Sequence, residues 1–494
     1  MSLKVYNTLV NRKEPFIPLV ENQVGMYVCG PTVYDVCHMG HARASIVFDV
    51  IFRYLKYVGY HVTYVRNITD IDDKIINKAN DEGVDYTVIT ERYTGSFHDD
   101  MLDLGNLPPT YEPKATEHIK DIIGIIQKLI NKGFAYEAGG DVYYSVDSYE
   151  DYGKLSGRKT DDLIAGARVE VGEKKKNPLD FALWKMSKEG EPSWESPWGK
   201  GRPGWHIECS AMSAKHLGET FDIHGGGKDL IFPHHENEVA QSQCANGKPF
   251  AKYWIHNGFV TVNEEKMSKS LGNFFTIRDL LGRYHSEVVR LFLLTTHYRS
   301  PIDYSDQNLN EAETALEKIY STLNAINAIL SEGSENVLSG HREGEGVDAE
   351  AEDMINSHSE RFCAAMDDDF NSALAIAAMF DTIRAINRWI NASGFIRSPA
   401  ALEILTQAKD RLVETGNVLG MLEAEPVKFH DVLQRKRKKD HQLDAGEVDG
   451  LVAERWQARL NKNWKRSDEI RDRLASMGVI LKDGAESTSW EVKR

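Results

Sequence analysis

The chain has few cysteines, no long apolar run and a deficit of positive charge, and each shortage excludes a class of protein. Five cysteines in 494 residues (Cys29, Cys37, Cys209, Cys244 and Cys363) are too sparse, and odd in number, for a disulfide scaffold. They suit free thiols or metal ligands in a reducing cytoplasm. No stretch approaches the roughly 18 consecutive apolar residues of a membrane helix, so no membrane partner is expected. The first residues, MSLKVYNTLVNRKEPF, lack the apolar centre of a secretion signal, and a cytoplasmic location is expected. A formal charge of −16 argues against indiscriminate nucleic-acid binding, although it leaves room for a local basic face. No internal repeat is present. The length and the ordinary apolar fraction predict several globular domains with ample core.

What is present centres on Cys29 to Arg43, CGPTVYDVCHMGHAR. The apolar run Val24 to Val28 before it reads as a buried strand. The segment after it, Ala42 to Tyr57, carries apolar residues at helical spacing (Ile46, Val47, Val50, Ile51, Tyr54). A strand, a Gly-Pro turn and a helix opening at His38-Met39-Gly40-His41 are therefore predicted. A helix start offers unpaired backbone N–H groups and partial positive charge, which suit phosphate. Cys29 falls at the carboxyl end of the strand, the edge where open α/β sheets bind ligands.

Further along, HVTYVRNI reads as a second strand, and Asp70, Asp72 and Asp73 as the acidic start of a helix. Residues 115–202 interrupt the strand–helix alternation with an amphipathic helix, short β-rich pieces and a Trp/Pro/Gly-rich stretch. From Trp205 the alternation resumes with a helix carrying Cys209. A strand from Phe221 to His224 follows, then a turn at Gly225, Gly226 and Gly227, and a helix beginning near Pro233. WIHNGFVTV reads as one more strand. After Pro301 the pattern is helical over Asn310–Leu330, Glu350–Asp367, Asn371–Ile390 and Ala400–Val418, with a polar linker from Ser331 to Gly346. Near Glu425 the composition turns basic. Arg435 to Lys439 and a segment containing Trp456 and Trp464 suit RNA, although inward packing of those two rings is the expected arrangement.

His38-Met39-Gly40-His41 resembles the HIGH motif of class I aminoacyl-tRNA synthetases, and Lys266-Met267-Ser268-Lys269-Ser270 is identical to that class's KMSKS motif. The stretch with Cys29 in front resembles the cysteinyl-tRNA synthetases in particular, and the likeness continues through most of the chain. The resemblance implies a Rossmann-like α/β catalytic fold with a parallel sheet and an insertion, then an α-helical bundle and a small mixed α/β C-terminal domain. The boundaries expected are 1–114 and 203–265 for the split catalytic domain and 115–202 for the insertion. They continue with 266–309 for the KMSKS region, 310–424 for the bundle and 425–494 for an anticodon-binding domain. The implied activity joins L-cysteine to tRNA(Cys) with ATP, through cysteinyl-adenylate, in a monomer.

Four residues are candidate zinc ligands. His234 and Glu238, four apart on a predicted helix, project from one face, whereas His235 points about 100° away. Cys29 and Cys209 come from separate segments. Zinc accepts thiolate, imidazole and carboxylate, and the resembled family's ligands fall on these four. Zinc would take the substrate sulfur as a thiolate, which serine cannot match, so no editing domain is needed. The resemblance further assigns His38 and His41 to the α-phosphate, and Lys266 and Lys269, with Met267, Ser268 and Ser270, to the pyrophosphate. It places His224 among the residues that bind substrate or ATP, Gly225 to Gly227 beside the adenosine, and Asp229 on its ribose. Thr69 borders the amino-acid pocket, Trp205 forms a wall over the amino acid, and Mg2+ accompanies ATP. Two other functions share parts of this pattern. A cysteine ligase acting on an amino sugar would not need the helical and basic regions, and a non-catalytic RNA-binding relative would not need both motifs.

Overall fold

Strand Gln23–Val28 runs parallel to His61–Arg66 on one side and to Phe221–Gly227 on the other, and Ala251–Asn257 completes a four-stranded sheet. The computed structural model describes residues 2–158, 174–262, 265–266, 274–331, 346–440, 443–484 and 488–492. All pairings in this sheet are parallel, and apolar side chains of its strands are buried on both faces, as all-parallel sheets require. Helix Met39–Tyr57 links the first two strands, and the chain then returns to the far side of Gln23–Val28. That reversal opens a crevice at the carboxyl ends of Gln23–Val28 and Phe221–Gly227, where Cys29 emerges.

The insertion forms its own antiparallel sheet from Ala135–Ala138, Asp141–Tyr144, Phe181–Met186 and Gly201–Pro203. It packs on helix Ile119–Asn131 through Ile122, Ile126, Tyr144 and Trp184. Its Lys174 pairs with Asp141, and Lys176 sits over the Tyr136 ring, so both are engaged within the protein.

The expected strands and helices are present with four differences. The glycines Gly225 to Gly227 belong to the strand and not to a turn. The following regular helix is Glu236–Asn246, and the turn from Pro233 to His235 that leads into it is wound more widely, with Phe232 extended in front of it (φ −139°, ψ 132°). WIHNGFVTV is two strands, Ala251–Asn257 and Val260–Val262, since Gly258 lies against the Ser300 carbonyl, where a Cβ would be 2.3 Å away. The helix expected over Glu350–Asp367 breaks at Ser357 into Ala349–Asn356 and His358–Met366. The other bundle helices are Asp306–Ser331, Ser372–Ile390 and Pro399–Val418.

One hydrophobic core runs without a break from Val24 and Ile46 through Leu291 and Leu316 to Ile383, Leu412 and Leu433. Helices Pro426–Asp440, Ala445–Leu460 and Trp464–Ser476 precede an antiparallel hairpin, Val479–Asp483 with Thr488–Val492. A separate small core of Val448, Leu451, Val452, Ile470, Leu474 and Val479 holds this terminal unit. Among the described residues, no helix is long and apolar enough to cross a membrane.

Candidate active site and metal centre

Cys29 leaves the end of its strand, Cys209 projects from helix Trp205–Leu217, and His234 and Glu238 flank the start of helix Glu236–Asn246. Their donor atoms all lie within 4.8 Å of one another. Cys29 Sγ is 3.7 Å from Cys209 Sγ and 3.5 Å from Glu238 Oε1, and His234 Nε2 is 3.0 Å from the same oxygen. A tetrahedral ion about 2.3 Å from each sulfur would set two thiolates about 3.8 Å apart, so the cluster has the dimensions and the chemistry of a zinc site. Although His234 precedes the first regular turn, the four-residue spacing still brings it onto Glu238.

Protons are already partitioned in the cluster. The hydrogen bond from Cys29 lowers Cys209 to about 6, assisted by His234, whereas burial and the same bond push the Cys29 thiol up. Burial alone would lower His234, but Glu238 and Cys209 raise it to about 10. Burial likewise opposes the Glu238 charge, yet His224 and His234 hold the carboxyl well below its usual range. Metal uptake would displace these protons, since thiolate and neutral imidazole are the ligating forms.

Several neighbours were not legible in the sequence. His206 Nδ1 lies 2.9 Å from His234 Nδ1, so the ring that turns Nε2 to the cluster is held from behind. Asn67 accepts from the Gly30 amide and contacts Cys209, and its amide donates to Thr69. A Cβ on Gly30 would be 1.7 Å from the Asn67 carbonyl, which is why glycine follows Cys29. Thr69 is buried and donates to Glu208 at 3.1 Å, so its hydroxyl faces a buried carboxyl and not open space. A second donor set, Cys29, His224, His235 and Glu238, overlaps the first. His235 is nevertheless engaged through Nδ1 by His256, which in turn meets Thr8. Trp205 is 38% exposed, with its ring 4.2 Å from that of His234.

The helix start departs from its expected form. His38 is the N-cap: its Nδ1 accepts from the Gly40 amide, and His41 Nδ1 accepts from the His38 amide. The Met39 amide donates to the Phe275 carbonyl and the His41 amide to the His38 carbonyl. The first-turn amides are therefore satisfied within the protein and do not await an anion. Because both Nδ1 atoms accept, both rings carry hydrogen on Nε2. The rings lie 4.0 Å apart, with their planes tilted by 36°.

The glycine-rich strand also serves packing. A Cβ on Gly225 would be 2.2 Å from the Phe48 ring, and one on Gly226 would be 2.8 Å from His235. Gly227 is half-buried beside the exposed Asp229, whose Oδ1 would lie 2.4 Å from a Cβ there. His224 is fully buried, with its Nε2 2.8 Å from Glu238 Oε2.

Of the second motif, Met267, Ser268, Lys269 and Ser270 lie outside the described residues, as does the Lys266 side chain. The flanks are placed. The Lys266 backbone pairs with Thr261, and the exit segment joins the first motif through the Met39–Phe275 and Ile277–Cys37 hydrogen bonds. In the C-terminal region, Lys436 holds the Leu281 and Tyr284 carbonyls and Arg437 holds Glu313 and Glu317, so part of the basic run fastens the protein to itself. Trp464 is 59% exposed, contrary to the inward packing expected of it.

Residues 15–314 match the family described as tRNA synthetases class I (C) catalytic domain. Residues 361–423 match a DALR domain, and residues 440–490 match the cysteinyl-tRNA ligase anticodon binding domain. The cysteine–tRNA ligase of Geobacter metallireducens is 58% identical over 493 residues, and that of Pelobacter propionicus 56% over 496, each alignment covering 100% of both chains. A solved methionyl-tRNA synthetase from Mycobacterium tuberculosis, in complex with methionyl-adenylate, shares the fold at a TM-score of 0.59 and 16% identity. That alignment covers 83% of this chain and 94% of that one.

Proposed function

The chain belongs to the class I cysteinyl-tRNA synthetases, and from that membership we propose that it is a cysteine–tRNA ligase working through cysteinyl-adenylate. In the first step the cysteine carboxylate attacks the α-phosphorus of ATP and the bond to the β-phosphate oxygen breaks, releasing pyrophosphate. In the second, a terminal ribose hydroxyl of tRNA(Cys), the 2′ one in this class, attacks the carbonyl and AMP leaves. Little covalent work falls to the protein, so positioning and charge stabilisation carry the rate.

The Nε2–H edges of His38 and His41 donate to the α-phosphate as its negative charge grows. Lys266 and Lys269, with Met267, Ser268 and Ser270, are the residues for the departing pyrophosphate, which Mg2+ would accompany. Gly227 and Asp229 border the adenosine. Trp205 closes over the amino acid, and Thr69, fixed by Glu208 and Asn67, forms the pocket's rear wall. Cys29, Cys209, His234 and Glu238 would hold zinc, which supplies a thiophilic centre that accepts the cysteine sulfur and discriminates against serine. The exposed Trp464 and the basic side chains around it offer a stacking platform for anticodon bases. A cytoplasmic monomer is the expected form.

The observation that carries this reading is the convergence of two thiols, an imidazole and a carboxyl within 4.8 Å, brought together from three separate segments of the chain. The match of residues 440–490 to an anticodon binding domain favours RNA over an amino sugar as acceptor. The test is ATP–pyrophosphate exchange with cysteine or serine, with bound zinc measured in the same preparation. One zinc per chain and exchange dependent on cysteine are expected, with Cys29→Ser losing both. Equal use of serine by a zinc-free protein would refute the selector role.

A further inference from the structure

Glu238 presents its two oxygens to different neighbours. Oε1 faces Cys29 Sγ at 3.5 Å and His234 Nε2 at 3.0 Å, whereas Oε2 lies 2.8 Å from His224 Nε2. An ionised carboxylate only accepts, so the His224 nitrogen carries the hydrogen and donates it. The other nitrogen of His224 has no hydrogen-bond partner. The ring is instead fixed by stacking on Trp254, with centroids 4.4 Å apart and planes 14° from parallel. A buried imidazole with one engaged nitrogen, one bare nitrogen and a face clamped by tryptophan is built to aim a single hydrogen at a single oxygen.

We propose that His224 is a positioning residue that commits Glu238 to ligation through one oxygen and so keeps a coordination position open for the substrate sulfur. The proposal deepens the zinc reading above and rests on it. A carboxylate can give a metal one oxygen or two. With both, the four side chains would fill five positions, and zinc, which prefers four ligands and expands to five, would have no place for a further one. With Oε2 held by His224, four protein atoms leave one position. The overlapping set of Cys29, His224, His235 and Glu238 would use His224 as a ligand instead. Against that use, His234 Nε2 lies 3.0 Å from Oε1, whereas His235 Nε2 is 4.0 Å away from it.

The test compares the full-length protein with His224→Phe, which keeps the stacked ring and loses the donor, and with His224→Gln, which restores a donor near the same place. Zinc affinity is measured by competition with a chelator, and the Co2+-substituted proteins are followed by visible absorption with and without L-cysteine. The unsubstituted protein is expected to give the strong d–d bands of a four-coordinate ion, weakening when cysteine adds. His224→Phe should bind one metal about 10- to 100-fold more weakly. Its bands should be weak before cysteine is added and respond little to it, and its KM for cysteine should rise while that for ATP holds. His224→Gln should recover most of each change. A His224→Phe protein indistinguishable from the original in affinity and spectrum would overturn the proposal. So would zinc-edge X-ray absorption showing one nitrogen neighbour fewer, which would make His224 a ligand. A full-length protein that takes up neither metal would defeat the zinc reading itself, whereas normal uptake with an indifferent His224→Phe defeats only this inference.

Discussion

A histidine at a helix N-cap gives one ring nitrogen to the backbone and leaves the other, hydrogen-bearing one to donate elsewhere. His38 and His41 do this reciprocally, each Nδ1 accepting a backbone N–H. Capping and the proposed donation to phosphate are thus separable by substitution. Asparagine at position 38 caps a helix as well as any residue but has no atom where Nε2 stands. His38→Asn is therefore expected to stay within about 0.5 kcal/mol of the original stability. Its cysteine-dependent exchange should lose about 100-fold in kcat, the usual cost of one preorganised donor. Thermal denaturation and exchange kinetics on the same sample check this, and parallel losses in both would return His38 to a purely structural role. The sequence pointed to these two histidines through their motif, and to Cys29, Cys209, His234 and Glu238 through spacing joined to the family resemblance. It did not announce Asn67, His206 or His256. An amide or a ring has many uses, and theirs here depend on the strand end, helix and turn that tertiary pairing brings alongside.

Elements were legible where a single period governs burial. The apolar rhythm over Asn371–Ile390 and Ala400–Val418 placed helices that run Ser372–Ile390 and Pro399–Val418, because the buried stripe is unbroken between the caps at Asn371 and Ser398 and the last turns. It failed where local backbone geometry or distant pairing decides. The rhythm continues across Ser357 although the helix stops there. The glycines after His224 lack side chains and read as a turn, yet Gly225 is in register with Val28 and Ile255 of neighbouring strands. The break at Ser357 places His358 at the start of a new helix, buried between two others. Its Nε2 is 2.9 Å from Thr415 Oγ1, whose own hydroxyl donates to the Arg411 carbonyl, and its Nδ1 is 2.9 Å from Thr382 Oγ1. Burial, with Arg361 and Arg411 nearby, pushes the ring down to about 4. The unfolded chain takes up this proton near pH 6.5 and the folded one only near 4, so between them the unfolded state binds more protons and stability rises with pH. The contribution is complete above about pH 6.5 and disappears on acidification towards 4, a total of about 3 kcal/mol. Denaturant titrations at pH 7 and 4.5 should show His358→Asn with lower stability at neutral pH and a correspondingly flatter loss in acid.

The catalytic region and the helical bundle form one body, because one core joins them and a polar latch reinforces it. Asp369, buried in the turn before helix Ser372–Ile390, accepts from the Tyr6 amide, the Tyr298 hydroxyl and the Arg299 guanidinium. Arg43, two residues past His41, donates to the carbonyls of Tyr298 and Ser300, so the same short segment ties the bundle to the helix that bears the first motif. The C-terminal unit is attached differently: it has a small core of its own, and it meets helix Pro426–Asp440 through the Val492 amide on Gln434 and Lys438 over the Trp490 ring. That helix itself belongs to the body: Phe429 stacks on Tyr320 at 3.9 Å and Leu433 is buried with it. The boundary expected at residue 425 falls in front of these two anchors, since the basic composition of the helix hides its apolar face. Two truncations separate the possibilities. A chain ending at residue 440 keeps both anchors, and should retain the stability of the body and full cysteine-dependent exchange. It should lose tRNA charging by about tenfold or more in kcat/KM, since each stacked base contributes about 1–3 kcal/mol. A chain ending at residue 424 strips Phe429 and Leu433 from the core and should destabilise the body by about 3–5 kcal/mol or more, which is the range for deleting a large buried side chain. Equal stability of the two fragments would mean that helix Pro426–Asp440 belongs with the RNA-binding unit. Equal tRNA charging by the 440-residue fragment and the full chain would show that acceptor recognition lies wholly within the body.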